Sequence, residues 1–312
     1  MSERRGGHSG GLLLVHAHPD DESITTGGTI AHYRRRGIPV TVVTCTLGEE
    51  GEVIGDEWAA LVSSAADQLG GYRIGELSRA LAELGAGPPR FLGGAGRWRD
   101  SGMAGTTAAP QEVDALHPRA FVKSGDAAVD ALVEILLEVR PAVVICYDPH
   151  GGYGHPDHLR AHRITMDAVD RAAEIGWDVP KLYWTVTDAT VLRLHTEALA
   201  RRTVDRLPGA LPAGWQLPAE GELACVPSES VTATVDVSDV LAAKRAALRA
   251  HATQVSVAPS GREFALSNDI AQPILPEEHY ILVRGVPGVR GPDGREHDLF
   301  SGLAVPGDLV TR

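Results

Sequence analysis

Cysteine is nearly absent: Cys45, Cys146 and Cys225 are the whole complement, odd in number and widely spaced. That excludes a disulfide framework and makes a reducing cytoplasm the expected compartment. Cys45 and Cys146 each end a β-branched apolar run, where a free thiol serves as a small buried hydrophobe. Lysine is as scarce, with Lys123, Lys181 and Lys244 alone among 29 basic residues, a bias of GC-rich coding rather than of chemistry. Positive charge is outweighed by 41 Asp and Glu, for a net charge of −12. Such a balance argues against nucleic acid or an anionic membrane as partner. No apolar run approaches the roughly 20 residues of a membrane span. The opening MSERRGGHSGG has arginines, but the apolar stretch behind it reaches only from Leu12 to Val15, too short for a secretory segment. Also missing are a Walker-type phosphate loop, a GxSxG nucleophile elbow, paired CxxC motifs and internal repeats. Gly94-Ala95-Gly96 does not open a helix, as a dinucleotide fingerprint would require.

What is present suits a soluble globular protein of one or two domains, with 312 residues, 43% hydrophobic and 22% charged. Short apolar runs alternate with helical patterns over the first 190 residues. The pattern predicts strands at 12–16, 40–45, 90–92, 142–147 and 181–186, and helices at 22–36, 57–69, 126–139 and 158–175. This alternation predicts an α/β fold with a Rossmann-like, mostly parallel sheet flanked by helices. Residues 1–187 are expected to form the catalytic core, and 188–312 a smaller mixed C-terminal part packing on it. Within that part the pattern is weak over 188–227, with a strand expected at 231–237 and a helix at 240–251. Residues 93–110 form a long Gly-rich loop of the kind that is often functional, and 285–312 read as a loosely held tail. In an open α/β sheet the ligand binds at the carboxyl ends of the strands. The chemistry is therefore expected on the loops after His16, Cys45, Leu92 and Tyr147.

Two of those loops are rich in titratable groups. The first is His16-Ala17-His18-Pro19-Asp20-Asp21-Glu22. Pro19 biases His18 away from helical geometry, so the run turns sharply. His18 and Asp21 can then face one point and offer nitrogen and oxygen to a divalent metal, or one of the aspartates can simply cap the next helix. The second loop, Asp148 to His158, holds three His, two Asp and a Tyr among three glycines. One His and one Asp from the first loop with one His from the second make three ligands, leaving a position open as in catalytic zinc sites. A third stretch, Leu47-Gly48-Glu49-Glu50-Gly51-Glu52, adds acidic groups to the same rim. Glu49 and Glu50 read there as solvated charge.

The strand followed by HPDDE and the later HPDH resemble the PIG-L/LmbE-like metal-dependent deacetylases, which remove acetyl groups from N-acetylglucosamine units. Thr46–Gly55, Gly71–Glu76, Gly93–Met103 and Ala250-His-Ala-Thr-Gln254 narrow the likeness to the branch acting on N-acetyl-glucosaminyl-inositol in mycothiol biosynthesis. The similarity runs from about Leu12 to Leu303 and is weakest over 188–227. It implies that His18, Asp21 and His158 hold one zinc per subunit, with iron(II) fitting the same ligand types. It implies Asp20 as general base, Tyr153 as a stabiliser of the tetrahedral oxyanion, and His155 as proton donor to the leaving amine. Asp157 is expected to orient the His155 ring, or else to cap the helix beginning at His158. Arg73, Asp100 and Glu52 are implied in recognising the polyol of a small sugar-inositol substrate, with Arg73→Ala expected to act mainly through KM.

Rival readings are an amidase cleaving mycothiol S-conjugates, a sugar-binding protein without catalysis, and a metal phosphoesterase. The first is disfavoured because Thr25 stands where that relative has Lys. Binding alone needs neither Asp20 nor His155, and a two-metal phosphoesterase needs more ligands and a phosphate cradle.

Overall fold

Runs such as LLLVH at 12–16 and VVICY at 143–147 present no polar face to water, so they are stable only in a sheet covered on both sides. The computed structural model, which describes residues 10–103, 116–205 and 207–303, has that sheet. Strand β1 (Leu12–His16) leads into helix α1 (Asp21–Thr25) and then α2 (Gly27–Arg35). Next come β2 (Val40–Thr44), α3 (Leu69–Glu83) and β3 (Arg90–Phe91). After them follow α4 (Gly125–Val139), β4 (Val143–Tyr147), α5 (Pro156–Ile175) and β5 (Lys181–Val186). The remainder supplies α6 (Ala189–Val204), β6 (Ala233–Asp236) and α7 (Leu241–Ala250). Last are β7 (Ser256–Val257), β8 (Glu263–Ala265), β9 (Gln272–Pro273) and β10 (Glu277–Arg284).

The main sheet has the order β3-β2-β1-β4-β5-β10-β6. Strands β3 to β5 in that order pair in parallel, while β10 is antiparallel to both β5 and β6. Strands β7, β8 and β9 form a separate antiparallel sheet. Alternation along β1 divides the core: Leu13 and Val15 face a cluster with α4 and α5, Leu12 and Leu14 one with α2, α3 and α7. The strand order reverses between β1 and β4, so their carboxyl ends flank the crevice in which such sheets bind ligands. Among the described residues no helix is long and apolar enough to cross a membrane.

Several expectations need correction. The single helix expected at 22–36 is two, α1 and α2. The amides of Gly28 and Thr29 donate at 2.9 and 2.7 Å to the carboxylate of Glu278 on β10, which gives the second helix its own N-terminal acceptor. No α-helix covers 57–69. A short 3₁₀ stretch, Asp56–Leu61, lies there without a buried residue, and the helix proper begins at Leu69. Its buried face, Leu69, Gly70, Arg73, Glu76, Leu77, Ala80 and Leu81, mixes charge and glycine with apolar groups and so hid the helical period. Gly70 is required by packing: a Cβ there would lie 2.6 Å from Cγ of Glu49. Helix α6 occupies part of the weakly patterned segment, with Leu199 as its one buried residue. The tail is not loose as far as Leu303. Glu296 is buried in an ion pair with Lys181 at 2.6 Å, and Leu299 and Phe300 enter the core. Cys45 and Cys146 are buried as expected, whereas Cys225 is exposed. The expectations on residues 1–9, 104–110 and 304–312 fall outside the described residues.

Candidate active site

Where β1 ends, the chain cannot continue straight, because Pro19 forces a turn before α1. The turn is made by Asp20 at φ 123° and ψ −31°, a region that costs a residue with a side chain about 1–3 kcal/mol. Its carbonyl accepts from Ser23 N and Ile24 N at 2.9 and 3.0 Å, so Asp20 is the N-cap by backbone. Neither aspartate caps with its side chain. The Asp20 carboxylate turns to Arg73 Nη2, 3.1 Å away. One oxygen of Asp21 accepts from His18 N at 2.8 Å and from the Tyr147 hydroxyl at 2.7 Å.

The second loop enters α5 differently. His155 is the N-cap, its Nδ1 accepting from Asp157 N at 3.1 Å, and Pro156 takes the first helical position. The Asp157 carboxylate is therefore neither the cap nor a partner of the His155 ring, contrary to both sequence readings. Its carboxylate faces His18 Nε2 at 3.4 Å and accepts from Ser101 N at 2.9 Å.

These turns bring the two loops together. Asp21 Oδ2 lies 3.4 Å from His18 Nδ1, and Asp21 Oδ1 lies 3.3 Å from His158 Nε2. The His155 ring sits 4.5 Å from that of His18 and 5.2 Å from that of His158, and the three rings offer nitrogen atoms within 4.8 Å of one another. A second such group is His18 with Asp100 and Asp157. His158 Nδ1 can only donate to the Gly151 carbonyl, 3.2 Å away. A neutral His158 ring then presents a lone pair from Nε2, which is buried and makes no hydrogen bond, towards a carboxylate. His18 does likewise, because its Nε2 faces the acceptors Asp157 and Asp100 and leaves Nδ1 towards Asp21. With both rings neutral, two lone pairs facing one carboxylate are mutually repulsive until a cation separates them; without a metal, a proton on His18 meets that demand. The donor set thus fits a divalent metal, and the carboxylates behind His18 fix its ring as outer partners of ligating histidines do.

Charge in the site follows the burial. Burial pushes Asp20 up to about 6, against the pull of Arg73 and with the help of Asp21. Burial opposes charge on His18, but Asp100, Asp157 and Asp21 hold it well above the ordinary histidine value. Against the same penalty, His158 and His18 hold Asp21 well below the carboxylate range. Burial, then His18 and His158, press His155 down to about 2.

The remaining expected residues lie around this centre. Tyr153 is 60% exposed, its ring edge-on to His158 at 5.1 Å. Asp100 is buried beside His18, with its carboxylate accepting from Gly102 N and Glu50 N at 2.8 and 3.3 Å. Arg73 is buried and turned inward: besides Asp20 it donates to the carbonyls of Pro19 and, at 2.8 Å, Gly48. Gly48 has φ +66°, and a Cβ there would lie 2.0 Å from the guanidinium. Glu52 is exposed at the rim, its carbonyl accepting from Gln254 Nε2 at 2.9 Å.

Sequence reasoning missed four groups. Tyr147 ends β4, stacks on His158 at 4.2 Å and bonds Asp21. Glu49 is not solvated but buried, accepting from Asp100 N at 3.0 Å. Glu22 stood in the quoted HPDDE without a role, and His251 in the quoted AHATQ. They bond each other at 2.7 Å, and a separation of 229 residues gives no spacing to read.

Comparison with known proteins agrees with this architecture. A family model described as PIG-L, GlcNAc-PI de-N-acetylase, matches residues 13–169. A protein of Nocardia farcinica named 1D-myo-inositol 2-acetamido-2-deoxy-alpha-D-glucopyranoside deacetylase is 76% identical, covering 96% of this chain and 98% of its own. One of the same name from Rhodococcus opacus is 61% identical, covering 97% and 99%. Among solved structures, the 4-carboxy-2-hydroxymuconate hydratase GalB of Pseudomonas putida is similar with a TM-score of 0.50, covering 90% of this chain and 98% of that one. At 18% identity that likeness concerns the fold alone.

Proposed function

Because the chain belongs to the PIG-L family of GlcNAc-PI de-N-acetylases, we propose that it hydrolyses the acetamide of 1D-myo-inositol 2-acetamido-2-deoxy-alpha-D-glucopyranoside, giving acetate and the free amine of mycothiol biosynthesis. The near full-length relatives that carry this activity in their names support the substrate. One observation of the site carries the reaction: His18 Nδ1 and His158 Nε2 lie 3.4 and 3.3 Å from the two oxygens of the Asp21 carboxylate, with Asp20 beside them. His18, Asp21 and His158 would hold one zinc per subunit, and iron(II) suits the same donors. Such an ion supplies Lewis acidity towards the acetyl carbonyl and towards water.

The chain's own groups divide the rest. Asp20, fixed by Arg73 through its carboxylate, takes the proton of the attacking water. His155 accepts at Nδ1 from a backbone amide, so its neutral ring has a proton on Nε2 alone. Instead of the expected proton donor to the leaving amine, it is a hydrogen-bond donor to the developing oxyanion, and Tyr153 from the rim adds its hydroxyl. Proton balance then closes on Asp20, which returns its proton to the leaving nitrogen. Asp157 and Asp100 orient His18, while Asp100 and Glu52 would meet hydroxyls of the sugar and inositol. Arg73 acts first on Asp20, so Arg73→Ala lowers kcat, rather than KM alone. The small uncharged substrate suits the acidic composition, and the reduced cysteines suit the cytoplasm.

The test is release of free amine from the acetylated glucosaminyl-inositol by zinc-reconstituted protein, with Asp20→Ala as control. Turnover lost in the variant supports the reaction and its base. Silence of the wild type with zinc bound overturns the reading and directs the search to larger S-conjugate amides.

A further inference from the structure

We propose that His251, at the end of α7, is a positioning residue for Asp20 and acts through Glu22. The inference rests on the deacetylase reading for the reaction, and on contacts alone for the arrangement.

Asp20 occupies backbone angles that a residue with a side chain keeps only when its surroundings impose them. Its N–H is held by one bond, to Glu22 Oε2 at 3.0 Å. Glu22 is fully buried, and its other oxygen accepts from the Ser23 hydroxyl and from His251 Nε2 at 2.7 Å. A buried carboxylate is tolerated only with partners of this kind. Without His251, Glu22 would lose the partner that fixes its carboxylate, and the Asp20 amide would be released. His251 is itself fully buried, and its segment is fastened on two further sides. Thr253 N and Oγ1 donate to Glu76 at 2.9 and 2.8 Å. Ile54 N donates to the Thr253 carbonyl at 2.9 Å, and Gln254 Nε2 to the Glu52 carbonyl at 2.9 Å. Glu76 lies one turn beyond Arg73 on α3. The reacting aspartate is therefore gripped from both ends, with Arg73 on its carboxylate and the Glu22–His251 pair on its amide. The C-terminal part contributes to the site by this route although none of its described residues is among the metal-capable donors.

Two amide variants separate positioning from mere support. In His251→Gln the amide nitrogen stands near Nε2 and still reaches Glu22, while in His251→Asn it stands near Nδ1 and does not. Both retain a buried polar group, and melting temperature reports folding in each. In the zinc enzyme, His251→Asn is expected to lose about tenfold or more in kcat with KM within about twofold, whereas His251→Gln stays within about threefold of wild type. In the metal-free protein, exchange of the Asp20 amide proton should quicken at least about tenfold in His251→Asn only. Equal kcat and equal exchange in all three folded proteins overturn the proposal. If the wild type itself lacks turnover, the deacetylase reading fails instead, and exchange at Asp20 still decides the arrangement.

Discussion

Two loops leave neighbouring parallel strands and are ordered in opposite ways. After β4 the chain enters α5 without strain, since His155 caps the helix, Pro156 presets its first φ, and twenty residues of helix follow. Asp157 and His158 are placed by their own helix. After β1 the chain passes through a strained Asp20 into a helix of five residues, too short to organise anything. Order there comes from elsewhere: Arg73 from α3, Tyr147 from β4 and Glu22 backed by His251. One loop is fixed by local sequence and the other by distant parts of the fold. The group assigned to move a proton sits in the second kind, where each support can be removed separately.

Substitutions can break that contrast. Asp20→Asn, which keeps shape and loses basicity, should lower kcat by about 10²–10⁴-fold while zinc content stays at wild-type level. Zinc loss in that variant would instead make Asp20 a ligand. Arg73→Ala removes an outside support and should cost on the order of 10–100-fold in kcat. A change confined to KM returns Arg73 to the polyol. Asp157→Asn, behind His18, is expected to weaken zinc binding by about 10–100-fold in chelator competition. At saturating zinc its kcat should stay within a few-fold of wild type. The smallest effect belongs to the self-ordered loop: Pro156→Ala should lower stability by less than about 1 kcal/mol in urea unfolding and leave kcat unchanged. A large loss of kcat there would show that the second loop also depends on a strained entry.

The parallel strands were legible because β1 and β4 are buried on both faces and read as unbroken apolar runs. Their carboxyl ends located the loops that converge, whereas the reversal of strand order between them belongs to the fold alone. Helix α3 was displaced in the reading because its buried face includes Gly70, Arg73 and Glu76, residues that periodicity counts as exposed or breaking. Helix α6 gave no stripe because it buries Leu199 alone. In the site, residue types at the HPDDE and HPDH turns were legible, but not which atom faces which. Asp157 was expected beside His155, two positions away. The cap formed by His155 uses the Asp157 amide and frees its carboxylate for His18, 139 positions away. Partners joined only by the fold, such as Glu22 with His251, leave no mark on spacing.

The carboxylate of Glu278 reaches back 250 residues to the first amide it holds on α2, and Lys244 pairs with it at 2.6 Å. Its strand, β10, is also the link between β5 and β6. This fixes an order of events during synthesis. While the chain emerges, β1, β4 and both metal motifs are complete long before β10 exists, and the N-terminus of α2 has no acceptor for its amides. Closing so long a loop is slow, so the N-terminus of α2 gains its acceptor late, only once β10 has been made. Nascent chains stalled before Glu277 should remain open to protease at α2, and become resistant once β10 has been added.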